Sequence, residues 1–240
     1  MTPQTFSERL KTVCGARLKS VILFGSAASG DHAGKRSDYN VLVVLDRLGL
    51  EELKVLSPVI RSWVKGGNPA PLLFTPESLM RSTGVFPLEF ADIQSSRQVL
   101  FGEDMVKRLS VPTDYLRIEL GHELRGKLMR LHSRYLLTEG HPRDVTELVI
   151  RSLSTFLTLF RGTLRLYQRE IPMKKLEATA ALAQHLPMDT RIFETVSRLK
   201  RGEKVPGIVP DQLFAQYLQA IESVVEAVDS LPRSNRLKEG

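Results

Sequence analysis

Val21-Ile22-Leu23-Phe24-Gly25-Ser26-Ala27-Ala28-Ser29-Gly30-Asp31 is followed, after a short polar stretch, by Ser37-Asp38-Tyr39-Asn40-Val41-Leu42-Val43-Val44. Two apolar runs of this length, each bounded by turn residues, read as interior strands, although periodicity alone leaves a buried helical piece open. Between them, Phe24-Gly25-Ser26 is the informative corner. Glycine takes backbone angles that other residues avoid and lets a ligand approach the main chain. Ser26 offers a hydroxyl where a helix would begin, so the amides around it could meet an anion such as a phosphate.

A Gly-Ser after a strand is a weak signal by itself. It gains specificity from the Asp38-Tyr39-Asn40 step, which begins twelve residues after Ser26 at the start of the next strand. Together these residues resemble the nucleotidyltransferase superfamily, which includes aminoglycoside adenylyltransferases and the polymerase-beta-type palm. The family pattern is strand, Gly-Ser, spacer, Asp-x-Asp or Asp-x-Glu, and a third carboxylate on a later strand. Side chains alternate along a strand, so carboxylates two apart share a face. With the third they hold two divalent ions against a nucleoside triphosphate for in-line attack by an acceptor.

The sequence departs from that pattern. Asp38 stands at the first metal position, but Asn40 stands at the second, and an amide oxygen carries no charge. Matched strand for strand, the third position falls on Pro71–Thr75, with Leu73 the first choice and Leu72 the next. Glu89 and Asp92 are the reserve carboxylates if Leu88–Ile93 is the metal-bearing strand. The resemblance therefore implies an α/β (α+β) nucleotidyltransferase fold with a degenerate metal triad. Gly25, Ser26, Lys35 and Arg36 are the implied nucleotide-binding residues, and Asp38 and Asn40 the implied magnesium ligands. Asp38, Glu89, Asp92 and Glu123 are the candidate catalytic carboxylates. Glu123 enters because in the adenylyltransferases a glutamate of the second domain can act as general base; Glu119 lies four residues before it. An NTP is the expected substrate or ligand, and a small molecule or a protein the acceptor.

Working outward, Thr2–Leu18 reads as a helix, with Pro3 in its permitted first turn. Gly30–Ser37 should be an exposed loop. Gly49–Lys65 is an amphipathic helix with Pro58 inside it, where a kink or break is expected. Gly66-Gly67-Asn68-Pro69 is a turn, Pro71–Thr75 a third strand, and Thr75-Pro76 the cap and first turn of another helix. Phe86–Leu100 fits a strand and a helix equally well. The resemblance suggests a small mixed sheet flanked by helices on one face.

Beyond Pro112 alternation stops and long helical stripes follow: Thr113–Glu139, Arg143–Arg169, Met173–Leu186, Thr190–Lys200 and Pro210–Leu231. Stripes of this width mean helices packed on helices. The expected organisation is a nucleotidyltransferase-like domain over 1–108, an all-α helical bundle over 112–232 and a flexible tail over 233–240.

Composition narrows the partners. The single cysteine, Cys14, rules out an internal disulfide and a cysteine metal cluster. The start has no charged-then-apolar signal pattern, and no apolar run approaches the ~20 residues of a membrane span, so a cytoplasmic protein with no membrane partner is expected. The net charge of +7 is spread along helices, as in Arg117, Arg125, Lys127, Arg130 and Arg134 and again in Arg161, Arg165 and Arg169. Solvated helix faces account for most of it, and nucleic acid is not an expected partner. The apolar content of Arg143–Arg169 leaves a homodimer open.

Overall fold

The computed structural model describes residues 1–25, 27, 28 and 39–232. Ser26, Lys35, Arg36 and Asp38 lie outside the described residues, as do the other residues of 29–38 and residues 233–240. The chain forms two compact units, Met1–Pro112 and Thr113–Gly240.

In the first unit, helix α1 (Pro3–Cys14) is capped by Thr2, whose hydroxyl accepts the Thr5 N–H at 3.2 Å. A short 3-10 turn leads into β1 (Leu18–Phe24), and β2 (Asn40–Leu45) runs antiparallel to it. Helix α2 (Leu50–Lys65) runs through the exposed Pro58 without a break. It delivers the chain to β3 (Leu72–Phe74), which pairs parallel to β2. Helix α3 (Pro76–Ser82) starts at Thr75, which accepts the Ser78 N–H at 3.2 Å.

The stretch that fitted two patterns is divided between them. Pro87–Ser95 is helix α4, and Arg97–Gly102 is a fourth strand, β4, antiparallel to β1. The sheet order is β3-β2-β1-β4. A helix comes first because Phe90 and Ile93, three apart, both reach one core, and β4 is hidden in the sequence because it is an edge strand, only half-buried.

Helices cover both faces of the sheet, which corrects the expectation of one covered face. Val21, Leu23, Val41, Val43 and Leu45 pack against Phe6 and Leu10 of α1 and Leu56 and Trp63 of α2. Ile22, Leu42 and Val44 point the other way, against Leu79 of α3 and Phe90 and Ile93 of α4. Both β1 and β2 are therefore buried on two sides, which is why they read as continuous apolar runs.

The described elements of the second unit are all helices: α5 (Thr113–Leu136), α6 (Pro142–Leu164), α7 (Lys175–Leu182), α8 (Arg191–Lys200) and α9 (Pro210–Ser230). The central helix, α6, touches the other four. It buries Leu153, Phe156 and Phe160 beside Phe193 of α8 and Tyr217 of α9.

Candidate functional site

The sheet places Gly25 and Asn40 side by side. Phe24 is the β1 partner of Asn40, so the glycine leaves β1 where Asn40 enters β2. Gly25 has φ of 81°, and a Cβ built on it would stand 3.3 Å from Asn40 Nδ2. The corner thus needs glycine for its backbone angle and for the close approach of the Asn40 amide.

The peptide groups of Gly25 are already engaged. Its N–H donates to Ser96 O at 3.0 Å, and its carbonyl accepts from Ser96 Oγ at 2.8 Å and from the Ala28 N–H at 2.9 Å. Gly25 therefore contributes shape, and the amide a phosphate would meet is not its own. Ser96 joins α4 to β4 and had no motif to mark it in the sequence. The same applies to Asn68, which is buried in the turn after α2. Its Oδ1 accepts the Tyr39 N–H at 3.3 Å and its Nδ2 donates to Trp63 O at 3.4 Å. Residue 39 is thereby fixed between the two positions read as metal ligands.

Cross-strand partners share a face, so Asn40, Phe24 and Arg97 form a row across β2, β1 and β4. Arg97 is held by Asp104, whose two carboxylate oxygens each lie 3.0 Å from Nε, and by the carbonyl of Gln94. The guanidinium beside Asp104 holds that carboxyl below the usual carboxylate range.

The third position of the triad can be read from register. Leu72 pairs with Leu42 and so lies on the Asn40 face; Leu73 pairs with Val43 and packs on the opposite face, against the α1–α2 cluster. The position next to the candidate site is therefore 72, not 73. Neither Glu89 nor Asp92 is on a strand: both are on α4, Glu89 exposed and Asp92 half-buried. Asp92 is one turn before Ser96, whose N–H donates to the Asp92 carbonyl at 3.2 Å, so its helix end is tied to the Gly25 corner. Glu123 belongs to the second unit, where it pairs with Lys127 at 3.3 Å, with His122 Nδ1 3.7 Å away.

Two adjacent divalent cations need several charged oxygen donors. At this end of the sheet the described residues offer the Asn40 amide, with Leu42 and Leu72 beside it. No group of three His, Cys, Asp or Glu among the described residues could hold a metal ion. Among the described residues, no helix is long and apolar enough to cross a membrane.

A small mixed sheet with a Gly25 corner between its two central strands, followed by a set of helices, is a fold this chain shares with a solved adenyltransferase. The chain superposes on the spectinomycin adenyltransferase AAD(9) from Enterococcus faecialis, solved with ATP and spectinomycin. The TM-score is 0.51 over 93% of this chain and 96% of that one, at 14% identity, which shows a shared fold. A nucleotidyltransferase-like protein from Exiguobacterium sibiricum 255-15 aligns more loosely, with a TM-score of 0.41 and 12% identity over 94% of this chain and 75% of that one. No protein-family model and no curated protein matches the sequence.

Proposed function

We propose that this chain binds a nucleoside triphosphate at the Gly25 corner and acts as a nucleotide-binding or regulatory module in which nucleotidyl transfer is impaired. One observation supports the reading above the others. Asn40 and Leu72 share the face where the superfamily's chemistry calls for charge, and neither supplies any. The fold favours an NTP as ligand, and the ATP in the AAD(9) structure makes ATP the first to test. In this reading Ser26 and the amides that follow Gly25 hold the phosphates, with Lys35 and Arg36 as counter-charges. Gly25, fixed by Ser96, sets the shape of the turn, and Asn68 fixes the backbone at Tyr39.

A second reading is an active transferase that passes a nucleoside monophosphate to a small-molecule or protein acceptor and releases pyrophosphate. It is favoured by Asp92, whose helix end is bound to the Gly25 corner through Ser96 and could bring a carboxylate to the site.

Calorimetric titration with ATP, in magnesium and in EDTA, is paired with pyrophosphate release against a panel of acceptors that includes spectinomycin. The first reading expects saturable ATP binding that changes little on removing magnesium, and no turnover. Turnover abolished by Asp38→Ala would replace it with the second, and absence of ATP binding would sink both.

A further inference from the structure

The second unit carries a separate groove that the nucleotide reading does not use. Lys127, Arg130, Leu131 and Arg134 fall at i, i+3, i+4 and i+7 on one face of α5. Opposite them on α6, Leu148, Arg151, Ser152 and Thr155 repeat the same spacing, and Phe156 closes the floor. The space between the two stripes is about 190 Å³. Leu131, Leu148 and Phe156 are buried and make the base apolar, while four cations and two hydroxyls form the rim.

The rim has charge to spare. Lys127 pairs with Glu123 at 3.3 Å, and Arg151 with Glu147 at 2.5 Å. The Arg130 and Arg134 side chains make no ion pair or hydrogen bond with any described residue. They stand four apart on one helix, an arrangement of like charges that disfavours the helix. The Ser152 hydroxyl is engaged below by Tyr217, at 3.0 Å, and by the Val149 carbonyl. The Thr155 hydroxyl has no partner among the described residues.

We propose that the α5–α6 groove binds a small organic phosphate, with the phosphate between Arg130, Arg134 and Thr155 and its apolar group on Leu131, Leu148 and Phe156. Guanidinium forks match a phosphate through paired hydrogen bonds better than they match a halide or a lone carbonyl. The volume suits a phosphomonoester with one ring or a short chain and is below the usual range for a drug-sized ligand, so a whole nucleotide is not the occupant. The solvated-face explanation of these arginines leaves unexplained why they rim a hollow with an apolar floor.

The test is calorimetry on the full chain with phenyl phosphate, and in parallel with inorganic phosphate, benzoate and phenol. Phenyl phosphate should bind with one-to-one stoichiometry and more tightly than any of the other three. Arg130→Glu with Arg134→Glu should weaken it by at least about tenfold, as the loss of charge-assisted hydrogen bonds implies. Both side chains are exposed, so the fold should survive the change. Thr155→Val provides a milder second variant and should weaken binding by about two- to tenfold. Gly25→Val should leave phenyl phosphate binding intact while removing ATP binding, and the double arginine variant should keep ATP binding, so the two sites fail separately. Absence of saturable binding, equal binding of benzoate or phenol, affinity unchanged in the double arginine variant, or loss of phenyl phosphate in Gly25→Val would each overturn the assignment.

Discussion

Gly25 and Glu52 do different work with the same tool, a side-chain choice that satisfies a backbone constraint. At Gly25 the φ of 81° and the 3.3 Å approach of Asn40 Nδ2 leave no comfortable room for a Cβ. Gly25→Ala should cost about 1–2 kcal/mol from the left-handed backbone and weaken ATP binding as the turn shifts. Urea denaturation and ATP titration on the same variant check both. Glu52 is a nearly buried carboxylate at the start of α2, with Arg47 at 2.7 Å, Arg17 at 3.2 Å and the Gly49 N–H at 3.1 Å. Burial pushes its pKa upward, but its own backbone N–H, Arg47 and Gly49 outweigh that and hold it below the ordinary 4.5. A carboxylate depressed in the folded state adds stability above its unfolded pKa and loses it as pH falls through the folded one. Glu52→Gln should therefore lower the urea midpoint at neutral pH. The gap from the parent should close as the pH drops well below 4.5. A gap that stays constant across the pH range would show that the carboxylate's charge is not what matters.

At the scale of elements, register decides which residue faces the site. β3 pairs in parallel with β2, so Leu72 lies beside Leu42 on the Asn40 face while Leu73, half-buried, packs against the α1–α2 core. Asn40→Asp with Leu72→Glu should raise magnesium affinity by about tenfold or more, because ligand charge sets affinity for hard cations. Asn40→Asp with Leu73→Glu should gain little and lose about 2–4 kcal/mol of stability, the cost of a charge pressed into an apolar cluster. Magnesium titration of the two double variants separates them, and equal gains would mean that the register argument is wrong. Sequence alone showed β1, β2 and the Thr75 cap of α3, because two-sided burial and capping chemistry are local signals. It ranked Leu73 ahead of Leu72, and the register reverses that order, because the facing residue depends on a pairing partner some 30 residues away. Nor could it find β4, because Phe90, Ile93, Arg97 and Leu100 imitate a helical period across a helix end. Ser96 and Asn68 were invisible for a related reason: each acts through a contact with a distant main chain and carries no motif.

At the scale of the molecule, the chain has two compact units and a single tryptophan, and the tryptophan lies in the first of them. Trp63 is fully buried, stacks on Phe6 with ring centroids 4.3 Å apart, and donates its indole N–H to the Pro69 carbonyl at 2.9 Å. Its fluorescence should report the unfolding of the α1–α2 side of the sheet, beside the Asn68–Tyr39 contact. Far-UV ellipticity is weighted toward the long helices α5, α6 and α9 of the second unit. Each unit buries its own apolar residues, so unfolding should not follow one two-state transition. A ligand stabilises only the state that binds it, by about 2.7 kcal/mol at a hundred times its Kd. ATP at that excess should raise the Trp63 midpoint and leave the ellipticity midpoint nearly in place. Phenyl phosphate should do the reverse. Thermal melts followed by both signals test this directly, and one shared midpoint that moves with either ligand would show that the two units unfold together.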